Sequence, residues 1–289
     1  MNPPFASRPG RWPLPPFMQA SAALHAGAAL AALAVPGAWP WALGAVALNH
    51  VAITAVGLTP RSDWLGTNVT RLPAAAAARG EVALTIDDGP EPGVTPQVLD
   101  LLDAAGQRAT FFCIAERAQA HPALAREIVA RGHSIQNHTA VHRHNFSVLG
   151  PRGYAAEIAR AQQMLSAITG QRPTCFRAPA GLRNPFLAPV LHRLGLQLVS
   201  WTRRGFDTRE RDPEVVLARL TRGLAAGDIL LLHDGNAART AQGEPVVLAV
   251  LPGLLARLNA QGLRSVTLPQ ALRDDRPAPA GLPTPPAHR

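Results

Sequence analysis

The sequence predicts an α/β protein: a distorted (β/α) barrel of about seven strands, preceded by an N-terminal apolar helical hairpin. Three observations carry this. After residue 80, short apolar runs alternate with longer segments of helical period, the alternation that builds a parallel sheet covered by helices. About seven such units fall within about 200 residues, which suits a barrel-like sheet better than a doubly wound one. Before residue 60 stand two uncharged apolar stretches, each near the ~20 residues that cross a bilayer.

Taken in order, residues 1–16 are proline-rich, carry Arg8 and Arg11, and are expected to be disordered. Residues 17–35 and 39–58 form the expected membrane-associated hairpin (17–58), separated by Pro36-Gly37-Ala38-Trp39-Pro40. Trp39 and Trp41 suit a membrane interface, whereas His25, Asn49 and His50 interrupt the apolar pattern. A buried hairpin on a soluble domain is the rival reading. A cleaved signal peptide fits less well, because no clean small-residue site ends the first segment. Arginines 8 and 11 precede the pair, and Arg61, Arg71 and Arg79 follow it, with no charge between. The positive-inside rule then gives an inner-membrane protein with both ends of the pair, and the domain that follows, in the cytoplasm. A single signal anchor, leaving that domain in the periplasm, is the alternative.

Residues 59–80, ending in a low-complexity alanine run at 74–78, read as a linker. The α/β domain is expected over 81–275, with strands at 82–86, 109–114, 134–137, 174–176, 196–200, 229–232 and 264–267. Helices are expected between them, at 95–105, 117–131, 152–169, 185–194, 213–226 and 246–260. The tail, 276–289, is rich in Pro and Ala and is expected to be disordered.

At 289 residues the chain can bury an ample core. The formal net charge is +9, and the basic residues are all arginine, which looks like codon bias toward arginine. They are scattered, with no basic helix and no interleaved aromatics, so nucleic acid is not an expected partner. No protein partner is expected either. Cys113 and Cys175 lack metal-type spacing and read as small core residues.

The run Val82 to Ile86, ended by Gly89-Pro90, delivers Asp87 and Asp88 to one strand end. Two like charges there require a cationic neighbour, since each ionised carboxylate raises the other's pKa; a solvated turn is the bland alternative. Downstream, Asn137-His138-Thr139-Ala140-Val141-His142 places two histidines four apart. Such a pair shares a helix face or brackets one turn, and either way both imidazoles can reach one ion. With an aspartate from another strand end the set becomes an N₂O site that leaves positions open for water and substrate. Zinc is the first choice of metal, and cobalt, nickel and manganese accept the same ligands. His133 and His144 are nearby rivals without a partner at ligand spacing, and are read as surface residues or as groups behind a ligand.

Four motifs in order resemble the polysaccharide deacetylase family, which includes nodulation-factor, chitin and peptidoglycan deacetylases. They are Thr85-Ile86-Asp87-Asp88-Gly89-Pro90, His138-Thr139-Ala140-Val141-His142, Phe176-Arg177-Ala178-Pro179-Ala180-Gly181 and Leu231-Leu232-His233. The resemblance covers roughly 81–268 and implies metal-dependent removal of an N-acyl group, acetyl or formyl, from an amino sugar. It makes Asp88, His138 and His142 the ligands of one divalent ion and Asp87 the general base. Arg177 is then the arginine that holds the base carboxylate, and the Ala180 backbone N–H the donor to the oxyanion. His233 becomes the general acid, paired with Asp207, and Leu231 lines the pocket for the acyl methyl.

Two positions depart from the family pattern: Ala180 stands where an aromatic is common, and Thr208 where a Trp often follows the aspartate. Trp201 reads as a packing residue rather than a replacement. Both departures touch the substrate groove, so the glycan stays open: peptidoglycan, another polysaccharide, or a lipid-linked sugar, with membrane lipid as the other partner. The alternative function is a catalytically degenerate, membrane-tethered carbohydrate-binding or assembly protein. Retention of the proton carriers argues against it.

Overall fold

The computed structural model describes residues 12–273. The disorder expected at 276–289, and over most of 1–16, lies outside the described residues. Two 19-residue apolar helices come first, α1 (Pro16–Ala34) and α2 (Trp39–Gly57), each with a proline in its first turn, where the missing N–H costs nothing. The alanine run expected as linker is a short helix, α3 (Ala74–Ala78), as alanine's high propensity favours. Then come β1 (Glu81–Asp87), α4 (Thr95–Ala104), β2 (Ala109–Cys113), α5 (Ala115–Ala120), α6 (Pro122–Ala130), β3 (Ser134–Asn137), α7 (Pro151–Thr169) and β4 (Cys175–Phe176). The chain continues through α8 (Leu187–Leu194), β5 (Gln197–Leu198), β6 (Arg203–Arg204), α9 (Pro213–Thr221), β7 (Ile229–His233), α10 (Val246–Ala260), β8 (Arg264–Ser265) and α11 (Leu268–Arg273).

Three expectations are corrected. The single helix at 117–131 is two, because Pro122 has no N–H to continue the ladder and instead opens α6. The helix at 213–226 stops at Thr221, before Gly223 takes a φ of +63°. Strand β6 was not expected, since Arg203-Arg204 carries no apolar run. It is held by parallel pairing of Arg203 with Leu230 and of Arg204 with Leu231.

The strand order is β5-β4-β3-β2-β1-β7-β6, and β8 pairs with β1. The β1–β7, β1–β8, β3–β4, β4–β5 and β6–β7 pairings are all parallel. Every residue of β1 and β7 is buried, the pattern of parallel strands covered on both faces. Their register sets Asp87 opposite His233, so both side chains leave from carboxyl ends of neighbouring strands. Leu231 shares a face of β7 with His233 through the two-residue repeat.

The described residues divide into two compact units, a division that passes through β2 and β3. One runs up to Val69 and adds Phe112–Pro122 and Gln136–Ser200; the other holds Thr70–Phe111, Ala123–Ile135 and the chain from Trp201. The core of the first packs Phe146 against Tyr154 and Phe176, with ring centroids 4.8 and 5.8 Å away. Cys113 and Cys175 are free thiols, buried as expected. Helices α1 and α2 pack on each other and leave most of their surface uncovered. Their polar interruptions meet: Asn49 Nδ2 donates to Ser21 Oγ at 2.8 Å, and the ring nitrogens of His25 and His50 approach to 3.4 Å.

Candidate metal and acid–base site

In the first unit, His138 follows β3 directly, and its N–H donates to the Cys113 carbonyl at 3.1 Å. Its Nδ1 lies 2.9 Å from the Arg177 carbonyl oxygen, which can only accept. The ring proton therefore sits on Nδ1 and the Nε2 lone pair is left for a ligand, the orientation that metal-binding histidines need. His142 is delivered by a tight turn rather than a helix. Asn137 Oδ1 accepts the Thr139 N–H at 2.9 Å, and Thr139 Oγ1 accepts the His142 N–H at 2.8 Å. Asn137 is itself held by the Ile158 carbonyl and Gln162 Oε1. The two imidazole centroids end 4.9 Å apart.

Arg177 is fully buried. Its Nε donates to the Val199 carbonyl at 3.2 Å and its Nη2 to the Ser200 carbonyl at 2.8 Å, with the guanidinium carbon 4.2 Å from the Phe112 ring centroid. These contacts fix the plane of the guanidinium. Ala180 sits three residues after Arg177 in a short 3₁₀ turn, with a φ of +53°.

In the second unit, Asp87 ends β1, and Asp88 follows with a φ of +74°. Asn236 Nδ2 donates to Asp88 Oδ2 at 3.0 Å, which orients that carboxylate. Asp207, completely buried, grips His233 twice: Oδ1 lies 2.9 Å from Nδ1, and Oδ2 accepts the His233 backbone N–H at 2.7 Å. Burial opposes a charge on His233. The negative field and hydrogen bond of Asp207, aided by Asp87 and Asp88, prevail and push its pKa up to about 9. Neighbouring Asp234 accepts from Thr95 Oγ1 and the Gly235 N–H, and burial lifts its pKa to about 6. Its carboxylate fills the space a side chain at Gly89 would need: a Cβ there would meet it at 2.2 Å.

One oxygen of Asp88 and one ring nitrogen each from His138 and His142 all lie within 4.8 Å of one another. Two imidazoles and a carboxylate suit a divalent transition ion, and the His138 tautomer fits that use. Among the described residues, the non-glycine residues with positive φ are Asp88, Thr139, His142, Ala180, Phe206 and Asn236. Each either is a site residue, touches one, or adjoins one in sequence. Such costly conformations gather where geometry serves function.

Of the rivals, His144 is exposed, whereas His133 is buried. His133 accepts the Ala109 N–H at 3.1 Å, and burial and Arg108 lower its pKa to about 4, as befits a neutral core histidine. Trp201 packs as expected, with the Arg204 guanidinium 5.2 Å from its ring and 4.8 Å from that of Phe206. Sequence reasoning missed Arg204, Asn236, Asp234 and the Gln162 brace behind Asn137. Of their surroundings in the sequence only the Asp234-Gly235 pair stands out, as a turn signal.

The sequence model described as polysaccharide deacetylase matches residues 75–199. A peptidoglycan-N-acetylglucosamine deacetylase of Bacillus cereus is 33% identical over 202 residues, covering 66% of this chain and 88% of the relative. A chitooligosaccharide deacetylase of Azorhizobium caulinodans is 32% identical over 198 residues, covering 66% of this chain and 94% of its own. A solved peptidoglycan N-acetylglucosamine deacetylase aligns with a TM-score of 0.64 at 25% identity, over 71% of this chain and 92% of that one. The barrel-like fold expected from the sequence is the fold found.

Proposed function

The chain belongs to the polysaccharide deacetylase family, and from that premise we propose that it hydrolyses the N-acyl bond of an amino sugar. The donor cluster of Asp88, His138 and His142, beside an aspartate that ends β1, carries this reading. A divalent ion bound there would supply Lewis acidity, polarising the acyl carbonyl and making the attacking water more acidic. Asp87 then takes the proton from that water as it adds to the carbonyl carbon, and Arg177 holds the Asp87 carboxylate in position. The Ala180 N–H donates to the oxyanion. The C–N bond breaks as His233 gives the proton on Nε2 to the departing amine, while Asp207 holds Nδ1 and supports the imidazolium. Leu231 packs against the acyl methyl. The products are a carboxylate and a free amino sugar.

The substrates proposed are acetylated amino-sugar glycans or their lipid-linked forms, reached from an inner-membrane hairpin with the catalytic part on the cytoplasmic side. Helices α1 and α2 have the length and apolarity this needs, and in the sequence Arg8 and Arg11 precede the pair while Arg61, Arg71 and Arg79 follow it. Release of acetate from a chitooligosaccharide tests the chemistry: activity should vanish after chelation and return with zinc. Turnover untouched by chelation would contradict it. Alkaline phosphatase fused after Arg79 tests the side, since that enzyme works only outside the cytoplasm. High phosphatase activity would place the catalytic part in the periplasm.

A further inference from the structure

The outer ends of α1 and α2 are both rooted in the first unit. At the start of α1, the Phe17 ring centroid lies 5.4 Å from that of Trp64. At the end of α2, the Gly57 carbonyl accepts the Arg183 N–H at 3.1 Å, so closely that a Cβ on Gly57 would sit 2.3 Å from the Arg183 carbonyl oxygen. The chain leaving α2 is then stitched down. The buried Arg183 side chain donates to the Pro60 and Ser62 carbonyls, Asn68 Nδ2 donates to both at 2.9 Å, and Ser200 Oγ donates to Pro60 at 2.7 Å. Ser200 is the residue whose own carbonyl holds Arg177.

From Arg183 the connection continues to the metal-ligand turn. Asn184 Nδ2 donates at 2.9 Å to the carbonyls of Ser147 and Leu149, which follow His142 within seven residues. The loops that carry Ala180 and His142 are therefore bonded to each other and to the root of the hairpin. On this connected surface Leu58, Trp64, Val148 and Phe186 are all at least half exposed. Trp39 and Trp41 stand exposed at the opposite end of α2. A 19-residue helix rises about 28 Å, so the two ends of α2 are separated by nearly the ~30 Å of a bilayer core. Tryptophans at both ends are the placement expected of a spanning helix.

We propose that Leu58, Trp64, Val148 and Phe186 form a rim that seats in the bilayer interface, so that the mouth containing His138, His142 and Ala180 opens onto the membrane surface. This rests on the hairpin reading given above. It narrows the substrate to a glycan carried on a membrane lipid, whose sugar lies in the headgroup layer.

The test uses the full chain in phosphatidylethanolamine–phosphatidylglycerol vesicles with brominated acyl chains as quenchers. An environment-sensitive fluorophore is attached in turn to Val148→Cys, Phe186→Cys, Leu43→Cys within α2, and Gln171→Cys, an exposed position before β4. The native thiols are buried, and unsubstituted protein sets the labelling background. Quenching at 148 and 186 should exceed that at 171 at least twofold, with 43 quenched most. If 43 is quenched while 148 and 186 match 171, the hairpin spans but the mouth does not face lipid, and this inference falls alone. An unquenched 43 overturns the hairpin and the rim together. Fluorescence at 148 and 186 that follows protein concentration instead of quencher would mean a second copy covers the rim, which also overturns it. Acetate release from soluble chitooligosaccharide by the same samples reports separately on the enzymatic reading.

Discussion

The two ends of β1 and β7 treat buried charge in opposite ways. At the amino ends, Glu81 is clasped by Arg79 at 2.8 Å and Arg264 at 2.9 Å, and Asp228 by Arg71 at 3.0 Å and by Arg203. At the carboxyl ends of the same strands, Asp87 and His233 stand opposite each other in register, with Asp88 and Asp234 next in sequence. There Asp88 meets the Asn236 amide, Asp234 the Thr95 hydroxyl and His233 the Asp207 carboxylate, and the pKa values of His233 and Asp234 are both raised, to about 9 and about 6. At the amino ends the fixed charge of arginine suits support; at the carboxyl ends the His233–Asp207 pair holds an exchangeable proton, which suits chemistry. Barrel-like parallel sheets concentrate function at the carboxyl ends in the same way.

The sharpest way to break this contrast is to damage each end and read both properties. Asp88→Ala and His138→Ala should lose bound metal and detectable turnover while remaining folded. Asp228→Ala should keep its metal but lose about 3 kcal/mol of stability, the lower part of the range for truncating a buried pair, because Arg71 can turn to solvent. Metal analysis and denaturant unfolding of the three variants check this. Full metal content in the first two, or metal loss from folded Asp228→Ala, would erase the distinction.

A smaller effect sharpens it. The acid form of His233 is populated below its pKa, which Asp207 raises from the ordinary 6.5 to about 9. Asp207→Asn should move the alkaline limb of the pH–rate profile to lower pH, so activity falls most above neutrality. The same pair stabilises the fold fully below 6.5, and that contribution fades as pH rises through about 9. A limb unmoved in the variant would remove His233 from the acid role. The smallest effect is expected at Arg204, whose guanidinium lies over Trp201 and the half-exposed Phe206. Arg204→Gln should raise KM about two- to fivefold with kcat unchanged, the size of an exposed cation–π contact. A fall in kcat instead would assign Arg204 to the chemistry.

The amino-end clasps and the carboxyl-end site differed in how legible they were. Apolar runs such as 229–233 announce doubly buried strands, and β3 and α10 fall where their patterns place them. Strand β6 was invisible, because two arginines at a sheet edge have no strand signature and owe their state to pairing with β7. The motif residues Asp87, Asp88, His138, His142 and His233 were legible because each closes or follows a short apolar run. Their supports were not. Asn236 reaches Asp88 across 148 residues, and Thr95 reaches Asp234 across 139, contacts that only the folded sheet creates. The positive φ angles at Thr139, His142 and Ala180 were equally hidden, since none of these residues advertises such a conformation as glycine does.

Asp88 is proposed to bind the metal while its neighbour Asp87 moves a proton. Metal stoichiometry and kcat measured on one preparation of Asp87→Asn test it directly. The ion should remain at the wild-type ratio while kcat falls by about 10²–10⁴, the usual contribution of a general base. Near-wild-type turnover in the metal-loaded variant, or loss of the ion with it, would contradict the account.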